Sequence, residues 1–364
     1  MQAVRIARRL GPTVPIAMLV VAATAVPSYA HDTTQKPPPS TSSHASGDSK
    51  NGTLTAGAGA VSVTYPSGSP GGNSHPLTSV DVHWTPPPCW IGPIADPVTF
   101  KKNVLDGVKA TNVPGQANYA LEAMDQYKKH YDSNYTWDGS GKGYKDFNID
   151  QQGKGMFWGP VENPDAPNSL DKFACNSTIP FFVPNGQRPP AGTPNVITSE
   201  MLSKIAYAHT QVPGVTIKTN PVNTQTVNLP TWVRLDEKYT PVKVRASVDL
   251  GGGQQIWAET TASPTSVHID PGTSDATVYP ASGDCPIAGD GTVGADYNGN
   301  PKADPPCGVT YLRSTQATGP FDLDVTATWS VSWTGSDGGG AALPDGRIQQ
   351  PRQVTVQEIQ SINR

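Results

Sequence analysis

Residues 321–334 alternate strictly between apolar and polar side chains. Because successive side chains of a strand point to opposite faces, this period of two predicts a long strand with one buried and one solvated face. Its length exceeds the usual strand of about five or six residues, so we expect it to bend or to carry a bulge. Trp329 and Trp333 on its apolar side are predicted core residues, with ligand binding as the alternative.

The rest of the final third also alternates. Residues 242–250 and 256–262 flank the glycines at 251–253, which predicts a hairpin. Shorter strands are predicted at residues 266–269, 309–313 and 353–357. Together they give about six or seven strands, the number expected of an antiparallel β-sandwich, and we assign residues 226–364 to such a domain.

Helical patterns occupy the preceding segment, residues 81–225. Asp96 followed by Pro97 has the residue types preferred at the N-cap and at the first helical position. Apolar residues at helical spacing predict two more helices, at residues 117–131 and 198–209, the last capped by Thr198. We therefore predict a small, irregular α-rich domain here, followed by a linker over residues 221–235.

The N-terminal part has the features of an export signal. Three arginines precede a short apolar run at residues 16–26, and a small-x-small sequence ends at Ala30. We predict a signal peptide over residues 1–30 that is cleaved after Ala30. Export by the general secretory route is favoured over the twin-arginine route. The run is too short to span a membrane. Residues 31–80 are rich in Ser, Gly and Pro, which predicts a disordered tether. The fold class expected is thus α+β and multidomain.

Charge and cysteine content narrow the possible partners. The formal net charge is −4, and removal of the three signal arginines gives −4 − 3 = −7. A mildly acidic surface argues against nucleic acid or anionic lipid as partners.

An even number of cysteines in an exported chain favours disulfides. Three pairings are possible, and we favour the sequential one, which joins Cys89 to Cys175 and Cys285 to Cys307.

Aromatic residues are dense among the glycines of residues 131–158. Aromatic side chains on such loops can stack on sugar rings or on a partner protein. The alternative is that they form the core of a small domain. The candidate binding residues are Tyr135, Trp137, Tyr144 and Trp158.

Chemical motifs are scarce. The chain has no GxSxG, HExxH or CxxC sequence, so no catalytic residue and no cofactor is predicted. A run of oxygen-bearing side chains between Cys285 and Cys307 resembles a calcium loop, although Pro301 stands where the glycine belongs. Turn formation is the alternative. The candidate ligands are Asp290, Asp296, Asn298, Asn300 and Asp304.

Several segments resemble an uncharacterised family of secreted proteins from Streptomyces-like actinobacteria. They are TPPPCW, GMFW, TQTVNLPTW, VTATWSVSW and VTVQEIQ, and the resemblance covers most of residues 82–362. It implies an exported, wall-associated protein whose last domain is similar to PKD or immunoglobulin-like β-sandwiches. The W-D-x-G-D-G turn of PKD domains is missing from residues 267–272. The resemblance carries no catalytic residues over to this chain.

These observations predict a secreted, non-enzymatic protein of the cell envelope or extracellular space, with a binding or structural role. The expected partner is cell-wall glycan or a surface protein. The alternative is a secreted cell-wall or polysaccharide hydrolase whose carboxylates lie in the aromatic-rich domain, because catalytic carboxylates meet in space and not in sequence.

Overall fold

The fold was analysed in a computed structural model. It describes residues 53–55, 61–66, 73–136, 143–163, 166, 170–301 and 303–359. The predicted signal peptide lies outside these ranges, as do Trp137 and most of the predicted tether.

The described chain is mainly β, with few helices. The helices are α1 (Pro97–Thr111), α2 (Asn118–Asp132) and α3 (Ser199–Ala208), with short 3-10 helices at Asp146–Gln151 and Leu170–Phe173. The strands are β1 (Thr53–Thr55), β2 (Ser62–Thr64), β3 (Ser74–Pro76), β4 (Thr78–Ser79), β5 (Cys89–Ala95), β6 (Gly155–Glu162), β7 (Phe181–Pro184), β8 (Gln211–Pro213), β9 (Ile217–Asn220), β10 (Thr224–Thr226), β11 (Pro230–Leu235), β12 (Val242–Gly251), β13 (Gln254–Asp270), β14 (Ala276–Tyr279), β15 (Asp284–Cys285), β16 (Gly308–Tyr311), β17 (Phe321–Gly335) and β18 (Gly340–Gln357).

The helix starts follow the predicted caps. The Asp96 carboxylate accepts hydrogen bonds from Thr99, at 3.1 Å from the backbone N and 2.7 Å from Oγ1. Thr198 Oγ1 accepts from the backbone N of Met201 at 3.1 Å. Each cap satisfies a backbone N–H that has no partner within the helix. The sequence therefore placed the starts of α1 and α3 correctly.

Removal of the α1 cap is expected to destabilise the protein. Asp96→Ala should lower the free energy of unfolding by about 1 kcal/mol, as measured by urea unfolding at pH 7. Partial burial raises the pKa of the Asp96 carboxyl, but the hydrogen bonds with Thr99, Gln152 and Val98 together outweigh it and leave this pKa below its usual value. The stabilisation is therefore complete above the ordinary Asp pKa of about 4 and is lost as pH falls through the lower, folded-state pKa.

Asp106→Ala is the matched control, because it removes an exposed carboxylate from the same helix without uncapping it. It should change stability much less than Asp96→Ala. Equal effects of the two substitutions at pH 7 would contradict the capping role.

Strand β17 lies inside the largest sheet. Among the described residues this sheet has the order β1-β2-β12-β13-β17-β18-β10, with β15 paired to β13 and β4 to β18. The apolar side chains of β17 are buried and the polar ones are half-buried or exposed, as the alternation predicted. The expected bulge is not in β17 itself: at both register shifts the additional residue lies in a neighbouring strand, between Leu343 and Gly346 of β18 and between Pro264 and Ser266 of β13.

Other strands differ from the predictions in length. The hairpin of β12 and β13 is confirmed, but β13 continues through a register shift between Pro264 and Ser266 and absorbs the strand predicted at 266–269. The strand predicted at 353–357 is only the end of β18. The linker predicted at 221–235 was wrong, because it holds β10 and β11. Trp232 on β11 is buried, and Pro230 stands at the first strand position, where a missing N–H is tolerated.

Part of the predicted tether packs against the fold. Val63 on β2 and Leu77 beside β4 are buried, and β2 pairs with β12. The packed chain therefore begins earlier than residue 81. The apolar side chain of Val63 becomes buried because its short strand pairs with the edge of β12. That partner is distant in sequence, so the residues around Val63 do not reveal it.

Buried residues form three clusters in the described chain. The first lies between the large sheet and a second sheet of order β14-β16-β11-β9, and it includes Trp329 and Val309. The second joins β5 and β6 to α3 and β12, so it contains residues from both sides of the predicted boundary at 225/226. The third packs α1 and α2 against β5 and β6. The immunoglobulin-like arrangement and the domain limits stay predictions.

The sequential disulfide pairing is confirmed. Cys89 bonds to Cys175 with their Cα atoms 6.0 Å apart, and Cys285 bonds to Cys307 with a separation of 5.1 Å. Both separations fall in the usual range for disulfides. Such bonds suggest an oxidising, extracellular environment. No helix in the described residues is long and apolar enough to cross a membrane.

Candidate functional site

The three described aromatic candidates do not form a common exposed surface. Trp158 is buried, with 2% of its surface exposed, so stacking on an external ligand is excluded for it. Tyr144 stacks on Tyr131 at 5.4 Å between ring centroids, and its hydroxyl accepts from the backbone N of Phe182 at 3.0 Å. Of the four candidates, Tyr135 is exposed and Trp137 lies outside the described ranges. The core alternative therefore holds for Tyr144 and Trp158.

Burial also changes the ionisation of this aromatic cluster. It raises the pKa of the Tyr144 and Tyr131 phenols, so both are un-ionised hydroxyls at neutral pH. The Tyr131 hydroxyl donates to the carbonyl of Pro180 at 2.7 Å. These contacts fix α2 against the strands beside it.

The candidate calcium residues are engaged in turns and ion pairs. Asp290 Oδ1 accepts from Thr292, and these hydrogen bonds lower the pKa of the Asp290 carboxyl. Asp296 lies 2.7 Å from Arg234 Nε, and Asn298 Oδ1 accepts from the backbone N of Asn300 at 2.9 Å. Asp304 is exposed. The described residues contain no group of three or more His, Cys, Asp or Glu side chains that could hold a metal ion.

Lysines pair with five of the eleven carboxylates described in the predicted α-rich domain, residues 81–225. The pairs are Asp146 with Lys101, Asp106 with Lys102, Asp125 with Lys129, Asp132 with Lys128 and Glu200 with Lys204. Several are neighbours one turn apart on an exposed helix face, a common surface arrangement. These five carboxylates are held in ion pairs, and the hydrolase alternative stays a prediction.

The large sheet has a broad surface directed away from the core, which we call the outer face. It is formed by the outward residues of β12, β13, β17 and β18, which pair side by side with register shifts at the bulges of β13 and β18. Its members are Lys243, Arg245, Ser247, Asp249, Gln255, Trp257, Glu259, Thr261, Ser263, Ser266, His268, Asp270, Asp322, Asp324, Thr326, Thr328, Ser330, Ser332, Thr334, Arg347, Gln349, Pro351 and Gln353.

Hydroxyl groups run along the middle of the outer face. Five successive outward positions of β17 carry Thr or Ser, namely Thr326, Thr328, Ser330, Ser332 and Thr334. Alternate residues of a strand are about 6.7 Å apart, so the row is roughly 27 Å long. The side-chain hydroxyls of Thr326, Thr328 and Ser332 have no hydrogen-bond partner within the described part of the chain. They are therefore available to a ligand.

One end of the outer face carries a tryptophan. Trp257 is half-buried on β13, and the guanidinium carbon of Arg245 lies 4.1 Å from its ring centroid. This cation–π contact fixes the indole against the sheet. On the same two strands, β12 and β13, Lys243 Nζ lies 2.9 Å from Glu259 Oε1. The result is a rigid, amphipathic surface beside the hydroxyl row.

The charges of the outer face are mixed. Three basic and five acidic side chains give 3 − 5 = −2 with histidine neutral. The basic residues Lys243 and Arg245 lie at the end near Trp257, whereas Asp270 and Asp324 face each other on neighbouring strands at the other end. This distribution disfavours a polyanion and suits an uncharged polymer.

Comparisons with known proteins give no relative. No protein-family model matches the chain, and neither a curated protein nor a solved structure shows significant similarity to it. The resemblance to secreted actinobacterial proteins is not tested by these comparisons and stays a prediction.

Proposed function

We propose that this chain is a secreted, non-enzymatic binding protein of the cell envelope, which attaches to an extended, uncharged glycan through its outer face. The sequence of residues 1–30 has the features of an export signal, and the two disulfides support an extracellular location. The observation that carries the proposal is the row of available hydroxyls on β17 beside Trp257.

The chemistry of the outer face matches that of a glycan. A sugar polymer offers hydroxyl donors and acceptors at regular intervals, and Ser and Thr hydroxyls can serve as either partner. The less polar faces of sugar rings can pack on an aromatic side chain, as at Trp257. An open sheet surface also accommodates an extended chain without a deep pocket. The hydroxyl row would align the polymer and Trp257 would fix one ring.

Binding to insoluble glycan tests the proposal. The protein, with both disulfides formed, should sediment with chitin or peptidoglycan, and Trp257→Ala should weaken that binding at least tenfold. Tyr119→Ala is the matched control, since Tyr119 is 57% exposed on α2, outside the outer face. It should bind like the unmodified protein.

Two results would count against the proposal. Failure of the unmodified protein to bind either glycan would remove its basis. Unchanged binding by a folded Trp257→Ala protein would show that the outer face is not the attachment surface. Circular dichroism of each variant establishes that it is folded.

A further inference from the structure

A cleft of about 420 Å³ lies where β9 separates from β18. Strand β4 pairs with β18 at residues 346–347, and β10 pairs with it at 355–357. Between them, residues 348–354 have no strand partner on that side in the described chain. Strand β9 belongs to the smaller sheet, and the chain passes from it to β10 in the large sheet. The two sheets therefore diverge here and leave a wedge-shaped space between them.

A cationic side chain lines this cleft without an ion-pair partner. Arg352 donates from Nη1 to the carbonyl of Ile217 at 2.7 Å and from Nη2 to the carbonyl of Val222 at 2.8 Å. These bonds hold the guanidinium in place, while other N–H donors remain. Arg352 is half-buried, and no carboxylate of the described residues pairs with it. Water screens a half-buried charge less than an exposed one, so an anionic ligand would gain more here than at the surface.

The rest of the lining is divided between polar and apolar groups. Asn73, His75 and Gln350 contribute hydrogen-bonding side chains, and Ile217 and Ile348 contribute apolar surface. Asn73 is held by hydrogen bonds to Thr216, at 2.9 Å, and to Glu237. This lining suits a ligand that is itself both hydroxylated and partly apolar, as a sugar ring is.

We infer that the cleft binds a small hydroxylated carboxylate of the uronic-acid class. The carboxylate would pair with Arg352, the ring would contact Ile217 and Ile348, and hydroxyls would reach His75 and Gln350. The volume is near the small end of ligand pockets, which fits one or two sugar rings. An added peptide strand is disfavoured, because Pro351 removes an N–H from this edge. The site is separate from Trp257 and does not depend on the proposed function.

A ligand-side comparison tests the role of charge. Glucuronate and its uncharged analogue glucuronamide would be titrated by calorimetry into the full chain with both disulfides formed. Glucuronate should bind at least tenfold more tightly than glucuronamide. Equal affinities, no binding of glucuronate, or equally tight binding of acetate or inorganic phosphate would overturn the inference.

Protein variants locate the site. Arg352→Gln should weaken glucuronate binding at least tenfold, whereas Arg347→Gln, which removes the same charge from the same strand outside the cleft, should leave it within twofold. Because Arg352 also holds two carbonyls, Gln350→Ala gives a second test that keeps those bonds, with an expected loss of about threefold. Unchanged binding in both cleft variants would place the ligand elsewhere and refute the site.

Discussion

Replacement of Trp329 by alanine is expected to lower the free energy of unfolding by about 3–5 kcal/mol. Trp329 is fully buried on β17, with its ring centroid 5.9 Å from that of Tyr239. It lies in the cluster that joins the two larger sheets, so its removal would leave a cavity bordered by both. Close-packed strands cannot collapse to fill such a volume. Urea unfolding, followed by circular dichroism, measures the loss.

The neighbouring residue provides the control. Thr328 is next to Trp329 but points to the outer face, where its hydroxyl has no partner in the described chain. Thr328→Ala should change stability by no more than about 0.5 kcal/mol. Similar losses for the two substitutions would contradict the assignment of the two faces of β17.

Loss of the Cys89–Cys175 disulfide is expected to have an effect of similar size. The bond links residues 86 apart in sequence, and the Cys285–Cys307 bond links residues 22 apart. A crosslink reduces the entropy of the unfolded chain more when it closes a longer loop. Replacement of both members of a pair by alanine should therefore cost about 4.5 kcal/mol for the first bond and about 3 kcal/mol for the second.

Guanidinium unfolding without reductant measures both losses. Each double variant is compared with the unmodified protein, and the other disulfide is confirmed intact by thiol titration. A larger loss for the Cys285–Cys307 variant would contradict loop closure as the main source of stabilisation. It would indicate instead that packing around Cys307, which is fully buried, dominates.

Local signals explain what the sequence predicted well. The β17 pattern and the caps at Asp96 and Thr198 each depend on residues close together in the chain. Strand β18 was predicted only at its end, because Pro344 and Pro351 interrupt its pattern. Its length is set instead by pairing with β17. Pairing between distant segments cannot be read from either strand alone.

The candidate site was only partly visible in the sequence. The polar half of residues 321–334 was interpreted as a solvated face, which is correct, but its row of hydroxyls becomes part of a surface only when four strands pair side by side. Arg245 and Trp257 meet because Ser247 pairs with Trp257 across the predicted hairpin, a signal that the sequence contained. The cleft at Arg352 combines distant segments and has no such signal.

Hydroxyl-radical footprinting with and without glycan most directly tests whether the outer face binds sugar polymers. The proposed function predicts that saturating soluble chitin oligosaccharides reduce the labelling of Trp257 several-fold and leave exposed Tyr119 unchanged. Equal labelling of Trp257 in the presence and absence of bound glycan would contradict it.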